Sequence, residues 1–337
     1  MSALPWLLLP VGIGAIGAGI ERIRRWKDLR RHAAPARFQD VGGHRLHHRV
    51  LGDGPDLVVM EAGSGDWSTH WGRVPEMLAK DCTVLIYDRA GLGWSDPGPS
   101  PRSAEMAAQE LHQLLQRIFP GRQALFVSHG RGAAITRIYA HRYPFEPLGL
   151  VFVDPEPPGL DEELRQQGIP SPHASTLFWK LLIAANAVGL ARMLGWHPAV
   201  PVVPNLDLLE RERLALIARG HDPRVLRTMG AELEQRSVDE ARVRELRSEF
   251  PGPVRVISAE STLAEGAAPA GCTPAEFNRL WQDQQQIYLQ FAKDSQRVLA
   301  GGSHHHVALH APDLVVQVVR ETQQVSRLVA EPSLDGA

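Results

Sequence analysis

Hydrophobic and polar positions alternate along the chain between two textures. Short runs rich in Val, Leu and Ile recur: DLVVMEAG (56–63), CTVLIYD (82–88), QALFVSH (123–129), LGLVFVD (148–154) and PVRVISA (253–259). Between several of them lie stretches with helical spacing, such as SAEMAAQELHQLLQRIF (103–119) and AAITRIYAHRY (133–143). An unbroken apolar run predicts a strand buried on both faces. Such strands alternating with helices predict a parallel sheet covered on both sides, an α/β fold. GGHRLHHRVLGDG (42–54) reads as a hairpin leading into the first buried strand.

The alternation stops between VFVDP and PGPVRVIS, where residues 159–250 carry no strand pattern. Three amphipathic helical stretches fill the gap, and an inserted helical lid over a pocket is the expectation. The stretch TLFWKLLIAANAVGLARMLGW (176–196) is apolar enough for membrane contact, but Lys180 and Arg192 argue against a span. The amino terminus has another pattern again. Residues 3–20 carry no charge, and Arg22, Arg24, Arg25, Lys27, Arg30 and Arg31 follow. At ~1.5 Å per residue the uncharged stretch reaches roughly 27 Å, close to a hydrocarbon core of about 30 Å. The expectation is a membrane anchor at residues 1–31, with the basic flank keeping the folded body cytoplasmic. Residues 328–337 read as a loose tail, and no internal repeat is visible.

Composition changes this picture little. In 337 residues, 44% are hydrophobic and 22% charged, ordinary values for a folded body. A net charge of −2 supplies no field for nucleic acid, and no nucleic-acid motif is present. Two cysteines, Cys82 and Cys272, cannot build a disulfide framework, which suits a reducing compartment. Oligomeric state is left open.

Candidate chemistry starts at LFVSHGRGAAITR (125–137), an apolar run that ends in a glycine-bearing turn and becomes a small-residue helix. Together with YDRAGLGWSDPGP (87–99), LVVMEAGSGDWSTHW (57–71), LVFVDPEPP (150–158) and HHHVALHAPDLVVQVV (304–319), it makes residues 40–325 resemble the α/β-hydrolase superfamily, in particular bacterial esterase-like members. The resemblance implies an eight-stranded, mostly parallel sheet with helices on both faces. Its two core halves fall at 40–158 and 251–327, on either side of the lid at 159–250. It also implies a nucleophile in a G-x-S-x-G elbow, a histidine base, an acid, and backbone donors for an oxyanion.

The nucleophile position departs from that pattern. In the frame set by Gly132 it falls on Gly130, while Ser128 takes the place of the first glycine. Ser128 is the alternative nucleophile if the elbow is unusual. Spacing back from Pro312 and Leu309 implies His305 as the base, flanked by His304 and His306. Three adjacent histidines diverge, and without a second ligand cluster no metal or other cofactor is expected. Asp154, at the carboxyl end of its strand, is the expected acid, with Glu260 as the alternative; Thr262 occupies the slot where many relatives carry the acid. Backbone N–H groups of Ser64 and Arg131 are implied as the oxyanion donors.

Three functions remain. The first is a degenerate hydrolase that keeps a pocket for a small ester-like or lipidic ligand or a partner. The second is an active ester or acyl hydrolase using Ser128 or a His305-activated water. The third is non-covalent proton transfer, lyase or isomerase chemistry, in the same pocket.

Overall fold

The computed structural model describes all residues except 1–3, 35–36, 172–175, 198–207, 247–248, 264–267 and 331–337. The start of the uncharged amino-terminal stretch and most of the expected loose tail thus lie outside the described residues. In chain order the strands are β1 (Arg37–Asp40), β2 (Arg45–Leu51), β3 (Leu57–Glu61), β4 (Thr83–Tyr87), β5 (Ala124–His129), β6 (Pro147–Val153), β7 (Val254–Ala259) and β8 (Ser295–Ala300). The helices are α1 (Leu4–Arg31), α2 (Val74–Leu78), α3 (Ala104–Ile118), α4 (Gly132–Arg142), α5 (Leu160–Gln166), α6 (Thr176–Ala187), α7 (Leu190–Met193), α8 (Glu210–Gly220), α9 (Pro223–Glu245), α10 (Pro274–Gln284), α11 (Val307–His310) and α12 (Pro312–Ala330).

The strands form one sheet in the order β1-β2-β4-β3-β5-β6-β7-β8. The β1–β2 and β2–β4 pairs are antiparallel and the rest parallel. Side chains alternate across it. Val59, Leu85, Phe126, Leu150 and Phe152 pack under α3 and α4, while Val58, Met60, Val84, Val127 and Val151 pack against α2 and α12. Both faces are therefore covered, which is why these strands read as unbroken apolar runs. The chain has the α/β-hydrolase fold. Helices α5 to α9 lie between β6 and β7, as a helical insert.

The chain runs from β3 to β4 on one side and to β5 on the other. Ligand crevices in such sheets open at this reversal, beyond the carboxyl ends of the strands. The loops after β3, β5, β6 and β8 all meet there.

The stretch 87–99 builds a turn that braces this end. Buried Asp88 accepts hydrogen bonds from His47 Nδ1 (2.9 Å), the Ser68 amide (3.0 Å) and the Trp94 amide (2.9 Å). Arg89, 2% exposed, donates to Glu61 Oε1 at 2.6 Å and Glu232 Oε1 at 2.7 Å. It also donates to the Ala62 and Gly63 carbonyls at 2.7 and 2.6 Å. One guanidinium thus ties β3, the loop behind it and α9 of the insert. Burial raises the cost of the Glu232 charge, but Arg89 and Arg131 more than offset it and pull that carboxyl down to about 2.

Helix α1 lies against the insert. Gly17 meets the backbone of Val188 so closely that a Cβ there would stand 2.6 Å from its carbonyl oxygen. Arg192 bridges Glu21 at 3.2 Å and Asp28 at 3.0 Å. No helix of the described residues is long and apolar enough to cross a membrane.

Candidate functional site

Strand β5 ends at His129, and the chain turns through Gly130 into α4. Gly130 has φ +51°, a region that glycine enters freely and other residues enter with strain. Gly132 is required for space: a Cβ there would stand 2.7 and 2.8 Å from the carbonyl oxygens of Glu61 and Ala62. A Cβ on Gly130 would by contrast be in ordinary contact, 3.5 Å from His305 Nε2 and 3.6 Å from Gly63 Cα. The histidine thus faces a place where this chain carries only hydrogen.

Asp154 follows β6 and is the one non-glycine residue with positive φ among those described, at +40°. Aspartate tolerates that region better than most residues, though not without cost. Its carboxylate is fully buried and meets five donors. These are His305 Nδ1 at 2.7 Å, Gln285 Nε2 at 2.8 Å, the Ala259 amide at 3.1 Å, Thr262 Oγ1 at 3.2 Å and Trp281 Nε1 at 3.2 Å. Burial alone would raise its pKa; the hydrogen bond and charge of His305, with Gln285 and the Ala259 amide, hold it below the usual carboxylate range. Burial likewise presses His305 down, and Asp154 outweighs it, leaving the imidazole above its ordinary value.

The structure therefore brings together Asp154, His305 and Gly130, and it leaves two candidates elsewhere. Ser128 is fully buried, and its hydroxyl is paired with Thr136 Oγ1 at 2.9 Å, behind the turn. Glu260 is engaged elsewhere, accepting from the Gly302 amide at 2.6 Å. Thr262, in the slot where many relatives carry the acid, donates to Asp154.

Ser64, Gly130, Arg131, Glu156, Trp281 and His305 line a cavity of about 270 Å³, together with Asp66, Thr262, Leu263, Phe277 and His306. The Arg131 side chain points away from it, donating to Asp239 Oδ2 at 2.6 Å and to the Arg102 carbonyl at 2.9 Å.

Sequence reading missed two parts of this site. Trp281 and Gln285 reach Asp154 from α10 and the turn after it. The available signal was the capping box T-P-A-E, in which Thr273 and Glu276 bond each other's backbone. The second part concerns the histidine run. His304, His305 and His306 diverge, but the expectation that no other ligand-type cluster accompanies them does not hold: Asp66, His129 and His306 present donor atoms within 4.8 Å of one another. His129 is buried and pushed down to about 3, first by burial and then by the neighbouring His305 and His306.

Residues 56–180 match the family model described as the alpha/beta hydrolase fold. An AB hydrolase superfamily protein of Gibberella zeae is 25% identical over 290 residues, which cover 80% of this chain and 87% of that protein. The uncharacterized protein YqjL of Bacillus subtilis is 32% identical over 112 residues, covering 33% of this chain but only 44% of YqjL. Among solved structures, a point mutant of an epoxide hydrolase from Bacillus megaterium superposes with a TM-score of 0.64, over 86% of this chain and 100% of that one, at 17% identity. At that identity the likeness is one of fold. The matches together show the α/β-hydrolase fold.

Proposed function

We propose that this chain is a degenerate hydrolase: it keeps the base, the acid and the pocket of an α/β-hydrolase but lacks serine-hydrolase turnover, and it binds a small ester-like or lipidic ligand near a membrane. The observation that carries the reading is the hydrogen at Gly130, facing His305 Nε2 across ordinary contact distance. In this reading Asp154 holds His305 in one tautomer, and the Ser64 and Arg131 amides remain as oxyanion donors that meet a ligand's carbonyl oxygen. Losing the serine of a triad costs about 10⁶ in turnover, so binding survives where catalysis does not.

Gly130→Ser, assayed on p-nitrophenyl acyl esters of increasing chain length, tests this. The variant is expected to gain at least about 10³-fold in hydrolysis over the parent, a fraction of what a native triad serine supplies, and to react with a fluorophosphonate. A parent protein that already hydrolyses these esters as fast as the variant would sink the reading.

A second reading, in which His305 activates a water directly, is favoured by the intact Asp154–His305 pair and the open cavity beside it. A positioned base is worth only about 10²–10⁴, so this activity would be slow and would vanish in His305→Ala.

A further inference from the structure

We infer that Asp66, His129 and His306 form a binding site for one divalent transition-metal cation of the zinc class, beside Gly130. Two imidazole nitrogens and one carboxylate oxygen are the donor set of open zinc sites and of the facial triads that hold ferrous iron.

The geometry sets each donor. His129 Nδ1 donates to the Val153 carbonyl at 2.9 Å, which fixes the tautomer and leaves Nε2 as a lone-pair donor. That Nε2 is buried with no hydrogen-bond partner. It lies 3.7 Å from Asp66 Oδ2, and His306 Nδ1 lies 3.8 Å from the same oxygen. These separations are too long for hydrogen bonds. They approach the spacing of two donors that share a cation at about 2.0–2.1 Å from each. The other carboxylate oxygen faces His70, whose Nε2 lies 3.2 Å from Asp66 Oδ1. His70 therefore orients Asp66 as outer ligands orient a metal-binding carboxylate.

Space for the cation exists as well. Asp66, His70, His129 and His306 line a cavity of about 10 Å³, the room of one water-sized sphere. Gly63 keeps it open. A Cβ on Gly63 would stand 2.8 Å from Asp66 Oδ2 and 3.4 Å from His129 Nε2, although the glycine has no positive φ to explain its presence. Asp66 and His306 also line the larger cavity with Gly130 and His305, so the open coordination positions face that cavity. A cation with three protein ligands retains positions for water or a ligand oxygen. The site goes beyond the ligand reading above and stands whether or not that reading does.

The test uses full-length, metal-stripped protein and measures binding alone. Calorimetric titration with Zn²⁺ and visible absorption with Co²⁺ should report one equivalent bound. His129→Ala and Asp66→Asn should each weaken binding at least tenfold, and Gly63→Ala should do the same by filling the space. His70→Gln should weaken it about 10–100-fold. A His304→Ala/His310→Ala double variant should bind as the parent does. Absence of stoichiometric binding by the folded parent would overturn the site. So would binding that persists in Asp66→Asn and Gly63→Ala, or binding that follows His304 and His310. Circular dichroism identifies any variant that fails to fold, and the isosteric Asp66→Asn keeps the test decisive.

Discussion

In the proposed reading a single missing CH₂OH separates Gly130 from a working elbow, and backbone strain gives its replacement a measurable cost. Gly130 sits at φ +51°, where a side chain costs on the order of 1–3 kcal/mol. Space does not oppose the change, because the nearest atoms to the added Cβ are 3.5 and 3.6 Å away. Gly130→Ser should therefore lower unfolding free energy by about 1–2 kcal/mol in denaturant titration while leaving far-UV dichroism unchanged. At this scale the sequence was informative about the turn, since Gly132 marks the frame and sets Ser128 behind it, but not about the partner of the Ser128 hydroxyl, Thr136 in the next helix. It put Asp154 ahead of Glu260 only by its place at a strand end. The five donors that surround Asp154 come from β7, the loop after it, α10, the turn after α10 and the histidine loop, which converge only in the folded chain.

Elements are held at this end of the sheet by buried charge. Arg89 links β3 and α9 across 143 positions of sequence, and removing one partner of a buried pair strands the others. Arg89→Met should cost about 3–5 kcal/mol in denaturant unfolding, because Glu61 would remain buried without its cation and Glu232 would keep only Arg131. A second buried cation, Arg236, faces Glu156 at 2.6 Å, Asp161 at 2.8 Å and Glu240 at 3.0 Å. Burial pushes the Glu240 carboxyl up to about 7; Arg236 opposes this, and the two other acids add to it. The folded state then keeps a proton that the unfolded chain releases near pH 4.5, so this group's contribution to stability falls as pH rises from about 4.5 to 7. Glu240→Gln should raise the melting temperature at about pH 8 and leave it nearly unchanged at about pH 4.5. The motif at 87–99 was legible as a signature, but its clamp was not, because Glu232 lies in an insert whose fold the signature does not encode. Strand β8 was also missed. It is an edge strand paired only with β7, and its polar, half-exposed residues carry no apolar run.

On the scale of the molecule, α1 and the insert it packs against both carry exposed apolar side chains. Ile16, Ile20 and Ile23 of α1 are exposed, as are Leu177, Phe178 and Leu181 of α6 and Met193 of α7. Large side chains exposed on elements that pack together mark an interaction surface, and the uncharged stretch that opens α1 makes a bilayer the proposed partner. Full-length protein should sediment with anionic vesicles, and replacing Ile16, Ile20 and Ile23 with Ser should cut the bound fraction several-fold. Full-length protein left in the supernatant would end the membrane proposal. The buried strands β3 to β7 were readable from texture alone. The packing of α1 on the insert was not, since it rests on one glycine contact and the ion pairs of Arg192.

The grip of Arg89 on Glu232 bears on traffic in and out of the interior. A bolt that fastens α9 to the floor of the crevice fixes one wall of the doorway, so guests cannot enter by hoisting the whole roof. If the insert acts as a lid, the pieces free to move are those that Arg89 does not hold.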